Sequence, residues 1–474
     1  MFLRQIADYS LAQYAYLIGC QRTGEAVVID PERDVDRYLE LARENGLRLT
    51  AVADTHIHAD YLSGARELVE SHGLKGYFSS EGGEDWQFEW AKDLDGVTLL
   101  ADGDAFEIGK IEIKALLTPG HTPEHLSFLV TDHGGGADEP MALLSGDFIF
   151  VGDVGRPDLL ESAAGQKDVM KPSARILYES LRKTAELPGF LQILPAHGAG
   201  SACGKALGAV PSSVLDYERH NTGALRLALD GGREAFVAEI LEGQPEPPLY
   251  FARMKRDNRL GPALLPEGKL PDPSRIDGSG LAAWVGAEGR VVLDLRTDRE
   301  AFMAKHVMGS LLTPPTGGHF PVSAGSYVDE KSRILILVED EAQVGETVRD
   351  LIRIGLDRVE SWMPVGEALD QDGLTASIPR VATSELGRED LRKGSVLDVR
   401  GAGEFAAGHV QGAVNIAHTR LADRQDELSS GRPVVVHCAS GMRASMASAY
   451  LASLGHEVVH ADGPFGDIPK DLLA

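Results

Sequence analysis

The stretch from His56 to Tyr61 gathers two histidines, a carboxylate and a phenol: His56, His58, Asp60 and Tyr61. Imidazole and carboxylate are ligand types for zinc and transition metals, so the chemistry these residues point to is metal binding. In an extended segment alternate side chains face the same way, which lets His56 and His58 share one pocket. His121, in Thr118-Pro119-Gly120-His121-Thr122-Pro123-Glu124-His125, Asp147, in Ser145-Gly146-Asp147, and His197, in Pro195-Ala196-His197-Gly198, extend the set. Taken singly each has a plain alternative. His121 could be a turn residue between prolines, Asp147 a cap and His197 a satisfied core histidine. Their recurrence, each after an apolar run, favours one shared site. His125 and His133 are expected to be structural or solvent-exposed.

A second chemistry resides in Cys438. It lies in His437-Cys438-Ala439-Ser440-Gly441-Met442-Arg443-Ala444, between a strand-like run and a helix-like run. A thiol on a short loop at a helix N-terminus meets backbone N–H groups and the positive end of the dipole, which favour an anionic sulfur. Arg443 adds a positive charge. The alternative is an inert buried cysteine. Cys203, in Gly198-Ala199-Gly200-Ser201-Ala202-Cys203, follows His197 closely and is either a thiol near the pocket or a small core residue.

The elements that must position these groups are legible as apolar runs. Residues 13–19 and 25–30 predict two strands around a polar turn, 35–45 an amphipathic helix, and 47–53 the strand that delivers His56. Two strands within 97–118 deliver His121. Strands over 126–131, 141–144 and 191–194 follow, the last two leading into Asp147 and His197, with a helix over 172–186. Functional residues gather on loops at such strand ends. From about Gly243 to Pro273 proline, glycine and charge take over, as in a linker or an irregular wrapping segment. Beyond it the chain repeats itself. Asp294-Leu295-Arg296, Glu300 and His306-Val307 recur as Asp398-Val399-Arg400, Glu404 and His409-Val410, offset by about 104 residues. So long a period means duplicated α/β domains, not a solenoid. The expected division is 1–250, a linker over 251–273, a first repeat over 274–375 and a second over 376–474.

With 474 residues the chain exceeds one core. Its net charge of −26 argues against nucleic acid or an anionic membrane surface as partner. Three separated cysteines suit a reducing compartment without disulfides. The N-terminus lacks a signal-peptide pattern and no apolar run has transmembrane length, so the cytoplasm is the expected location. A homo-oligomer, dimer or tetramer, is expected.

THIHADY, TPGHTPEH, SGD and PAHG, in this order, resemble the metallo-β-lactamase superfamily over roughly residues 1–250. The resemblance implies an α/β fold, an αββα sandwich with the metal at one edge of the sheets. Two-metal members carry histidine where this chain has Tyr61, and a phenol is a poor ligand at neutral pH, so a single metal is expected. Within the superfamily the chain resembles persulfide dioxygenases. That implies one Fe(II) per chain, with zinc the alternative, on His56, His121 and Asp147. His58, Asp60, Tyr61 and His197 then orient ligands or form a second metal site. Arg156, in Gly152-Asp153-Val154-Gly155-Arg156-Pro157-Asp158, and Cys203 are candidates for contacting the thiol carrier; a surface turn is the plain alternative for Arg156. The second repeat resembles a rhodanese domain. Cys438 would carry sulfane sulfur, with Ala439, Ser440, Gly441, Met442 and Arg443 forming its loop. The first repeat has no cysteine and reads Glu339-Asp340-Glu341 there, as a spacer or docking surface would. The implied partners are a low-molecular-weight thiol persulfide, dioxygen, and sulfite or thiosulfate. Rivals are a zinc glyoxalase-II-like thioester hydrolase and a sulfur-relay or sensor protein.

Overall fold

Strand β2 (Gln13–Cys20) is buried along its whole length, and its alternation divides two cores. Tyr16 and Ile18 face one apolar cluster, Ala15 and Leu17 another. A strand buried on both faces must lie in an inner layer. The computed structural model describes residues 1–159, 169–387, 394–428 and 431–474. Its chain divides into two units, Met1–Leu270 with Ile352–Gly355, and Pro271–Leu351 with Leu356–Ala474.

In the first unit one sheet runs in simple order through β1 (Phe2–Asp8), β2, β3 (Glu25–Ile29), β4 (Arg48–Ala53), β5 (Lys75–Ser79) and β6 (Val97–Leu100). A second sheet joins β7 (Ala105–Ile108), β8 (Ile111–Leu117), β9 (Leu126–Asp132), β10 (Ala142–Gly146), β11 (Gln192–Pro195) and β12 (Ser213–Val214), also in sequence order. Val27 and Ile29 of the first sheet meet Ile113, Phe128 and Leu144 of the second in one core. Outer cores form where Ala26 and Val28 meet helix Asp36–Glu44, and where Leu143 and Ile193 meet helix Met170–Lys183. The layers are therefore helix, sheet, sheet, helix, as expected. The run 97–118 holds three strands, not two, because the turn at Asp102 and Gly103 ends β6 before β7 begins.

The stretch expected as a linker begins with a helix, Tyr250–Leu260. Tyr250, Met254 and Asn258, spaced by four, form its buried face. Asn258 donates to the carbonyls of His58 (2.8 Å) and Tyr61 (2.7 Å) and accepts from Ser63 N–H (2.9 Å), which straps the histidine loop to this helix.

The second unit contains both repeats, and they share one design. Each has a five-stranded parallel sheet of the same connectivity, centred on Arg333–Val338 and Val434–His437. Arg296 forks onto Asp294 and reaches the Lys305 carbonyl, and Arg400 forks onto Asp398 and reaches that of Gly408. His306 stacks on Phe302 as His409 stacks on Phe405. No helix among the described residues is long and apolar enough to cross a membrane.

Candidate metal centre and cysteine loop

Asp30, at the end of β3, organises the histidine loop that follows β4. Its carboxylate accepts from the N–H (2.7 Å) and hydroxyl (3.0 Å) of Thr55. Because the Thr55 proton goes to Asp30, the His56 Nδ1–H must donate to Thr55 Oγ1, 2.9 Å away. The His56 Nε2 lone pair is thereby freed toward Asp147, with Oδ2 at 3.9 Å. His121 obeys the same logic. Its Nδ1 faces the Arg156 carbonyl at 3.0 Å and must be the donor, so Nε2 presents a lone pair 3.3 Å from Asp147 Oδ2. Both Asp147 oxygens are buried without a hydrogen-bond partner among the described residues. One donor atom each from His56, His121 and Asp147 lies within 4.8 Å of the others.

The electrostatics of this pocket call for a cation. Burial, reinforced by the neighbouring imidazoles, holds His56 well below the ordinary histidine range, and burial brings His121 down to about 3. Burial pushes Asp147 up to about 6. Two neutral imidazoles cannot compensate a buried carboxylate, whereas a divalent cation can.

His125 has a supporting role. Nδ1 meets Thr118 Oγ1 at 2.8 Å, and Nε2 accepts the Asp147 N–H at 3.0 Å. Gly146 makes this approach possible. Its φ is 52°, and a Cβ there would fall 2.6 Å from His125 Nε2.

His58 turns away from the triad. Its Nε2 meets Asp30 Oδ1 at 3.1 Å. Burial alone would lower His58, but Asp30's charge and hydrogen bond, helped by Asp54 and Asp60, push it up to about 9. Tyr61 accepts from Gln13 Nε2 (3.1 Å) and donates to the Asp30 carbonyl (3.2 Å). Burial, with the Asp30 and Asp54 charges, pushes its phenol well above the ordinary range, so it offers no phenolate.

Asp60, His197 and Cys203 form a neighbouring group with donor atoms within 4.8 Å. His197 Nε2 lies 3.3 Å from Asp60 Oδ2 and 3.4 Å from Asp147 Oδ1, and its Nδ1 faces the Ala12 carbonyl at 3.1 Å. Burial, then the charges of Asp147 and Asp60, push the Cys203 thiol well above its ordinary range. Cys203 is thus at the pocket.

Arg156, a candidate for contacting the thiol carrier with a surface turn as the plain alternative, is not at the surface. It is fully buried. Nε and Nη2 fork onto Asp158 at 2.8 and 2.6 Å, Nη1 donates to the Ala202 carbonyl and Nη2 also to that of Pro245. Its donors are used in holding the loops behind His121 and Cys203. Asp30 and Asn258 are the site residues that motif reading missed. Asp30 closes the apolar run EAVVID at the same sheet edge as the histidines, which is the one signal that could have marked it.

In the second repeat, Cys438 is buried on the loop between strand Val434–His437 and helix Met442–Ser453. Its Sγ accepts the Gly441 N–H at 3.1 Å. The Ala439 carbonyl is held by the Phe465 N–H at 2.9 Å. Arg443, in the first turn of the helix, forks onto Glu404 at 2.6 and 2.8 Å. At the equivalent loop of the first repeat, Gln343 Oε1 accepts the N–H groups of Glu339 and Asp340, so a side chain fills the place of an anion.

Residues 9–197 match the metallo-beta-lactamase superfamily model, and residues 383–467 match the rhodanese-like domain model. Among curated proteins, the mitochondrial persulfide dioxygenase ETHE1 of Bos taurus is 32% identical over 42% of this chain and 68% of its own. A hydroxyacylglutathione hydrolase of Rhodospirillum rubrum is 28% identical over 54% of this chain and 84% of its own. The crystal structure of a metallo-beta-lactamase from Staphylococcus aureus subsp. aureus COL superposes with a TM-score of 0.67 and 34% identity, covering 77% of this chain and 99% of that one.

Proposed function

The chain belongs to the metallo-beta-lactamase superfamily and carries a C-terminal rhodanese-like domain, and from that premise we propose that it is a persulfide dioxygenase coupled to sulfur transfer. The carrying observation is the triad itself: two Nε2 lone pairs and a carboxylate without a partner among the described residues, with donor atoms within 4.8 Å of one another. That is a 2-His-1-carboxylate set, suited to non-haem iron(II) with positions left open. Iron bound there would supply the redox chemistry of dioxygen, which zinc lacks.

The substrate proposed is a low-molecular-weight thiol persulfide, oxidised with one O2 and one water to thiol, sulfite and two protons. The chain's own part is orientation and exclusion of water. Asp30 sets the His56 tautomer through Thr55, His125 pins the Asp147 backbone, and Asn258 fixes the loop from behind. At Cys438 the proposed chemistry is carriage of a sulfane sulfur, supported by the Gly441 N–H and the Glu404-tethered Arg443. Linkage in one chain raises the effective concentration of one site's product at the other.

One observation favours a second reading, a zinc thioester hydrolase of the glyoxalase-II kind. Asp60, His197 and Cys203 could hold a second metal, and the relative from Rhodospirillum rubrum is named as a hydrolase. Oxygen uptake with a thiol persulfide, after anaerobic loading with iron(II), separates the two. Uptake in proportion to bound iron supports the dioxygenase. No uptake with the site full of iron sinks it, and thioester cleavage in the same preparation selects the hydrolase.

A further inference from the structure

Three features place the cysteine-free repeat against the Cys438 loop. Gly441 has a φ of 95°, and a Cβ on it would fall 2.2 Å from Asp462 Oδ1 and 3.1 Å from Arg299 Nε. Arg299 of the first repeat therefore lies directly on the loop backbone, and it pairs with Asp462 at 2.9 Å. Tyr327 of the first repeat stacks on Tyr450 of the helix that follows the loop, with centroids 4.5 Å apart and planes 10° apart. Helix His319–Tyr327 packs against the turn His418–Arg420.

The same turn, which carries His418, also packs against helix Met442–Ser453, whose first turn holds Arg443. His319, half-buried at the helix start, is lowered by burial and then by the Arg443 charge. His418 is lowered by burial, then by Arg443, to about 3. Both are neutral donors at neutral pH. His418 is buried and its Nδ1 has no hydrogen-bond partner among the described residues, which leaves it able to meet a ligand. A spacer domain needs no such groups at the reactive loop of its neighbour.

We propose that the cysteine-free repeat completes the Cys438 site, with Arg299 as a positioning residue for the loop and His319, beside Arg443 and His418, as a binding residue for a sulfur oxyanion. The proposal rests on the sulfur-transfer reading of Cys438. In the transfer, the sulfur lone pair of sulfite attacks the outer sulfur of the Cys438 persulfide. The S–S bond breaks, its electron pair stays on the Cys438 sulfur, and thiosulfate leaves. In reverse, the Cys438 thiolate attacks the outer sulfur of thiosulfate and sulfite leaves. Neither direction needs an external oxidant or reductant. One guanidinium, shared with Glu404, and neutral donors suit a small anion that must bind and depart.

The test uses the full-length chain and the two half-reactions of sulfur transfer from thiosulfate to cyanide. His319→Ala should lower kcat/KM for thiosulfate about tenfold, the scale of one hydrogen bond to an anion, and leave kcat/KM for cyanide within about twofold. An equal fall in both, or no fall, overturns the role of His319. Arg299→Gln should lower both constants together, and Arg299→Lys should restore them; a loss that merely follows a lowered melting midpoint overturns the positioning role. Calorimetric binding of sulfite tests the subsite without turnover. Weaker binding to His319→Ala than to the wild type supports it. Equal binding, or none to the wild type, overturns it. A wild type that binds sulfite in a His319-dependent manner but transfers no sulfur removes the Cys438 reading alone.

Discussion

His58 Nε2 lies 3.1 Å from Asp30 Oδ1, so the second histidine of the motif answers a carboxylate on the neighbouring strand, not the metal pocket. The same carboxylate takes the Thr55 proton and thereby fixes His56. Asp30→Asn reverses this logic. An amide NH2 at Oδ2 would donate to Thr55 Oγ1, turn the hydroxyl proton toward His56 Nδ1 and move the imidazole proton to Nε2. Metal affinity should fall about 10- to 100-fold, as for other lost supporting partners. Metal titration of the anaerobic protein checks this, and unchanged affinity would refute the tautomer relay.

His121→Ala removes one of the three donors and leaves only His56 beside Asp147 in that set. The expected outcome is loss of bound iron and of oxygen uptake, with sulfur transfer at Cys438 retained. Iron analysis beside both assays decides it. Stoichiometric iron in the variant would refute the ligand set.

Cys438→Ser keeps the loop bond from Gly441 geometrically possible while removing the nucleophilic sulfur. Sulfur transfer from thiosulfate should vanish and oxygen uptake should persist. Loss of both would mean a single coupled site.

The layers and strand ends were legible because the apolar runs of β2 and β3 and the polar clusters after β4, β8, β10 and β11 are local signals. His56, His121, Asp147 and His197 each follow a strand, so their convergence could be read before any coordinates. What could not be read was which atom faces what. Asp30 pairs with residues on another strand, and Arg156, whose sequence suits an exposed turn, is buried because Asp158 and two distant carbonyls satisfy it. The helix Tyr250–Leu260 is rich in charge, and its Tyr250, Met254 and Asn258 face is too sparse to stand out beside a proline-rich stretch. The proposed part of the first repeat at Cys438 was hidden for a simpler reason: Arg299 and His319 bear no motif of their own.

Glu404 gives the second repeat a pH signature. Its hydrogen bond and ion pair with Arg443 hold its carboxyl below the ordinary 4.5. A depressed carboxyl contributes stability that is present above its unfolded value and lost as pH falls through the folded one. The wild type should therefore melt above Glu404→Gln near neutral pH, and the gap should close as pH drops below about 4.5. Scanning calorimetry of both proteins across that range checks it. A gap that persists in acid would show that Glu404 acts by packing, not charge.

Gly441→Ala strikes the loop in two ways. The position has a φ of 95°, where a non-glycine residue costs about 1–3 kcal/mol. The new methyl would also meet Asp462 Oδ1 at 2.2 Å, in the pair that Asp462 makes with Arg299 and Arg380. Either relief, a shifted loop or a displaced Asp462, moves the N–H that Cys438 Sγ accepts. Sulfur transfer should fall more than about tenfold, since each such N–H contact to an anion is worth about 1.5–3 kcal/mol. Oxygen uptake in the same variant should remain, because none of these residues belongs to the first unit. Transfer at the wild-type rate would show that the loop tolerates a side chain there and that its backbone geometry is not what activates Cys438.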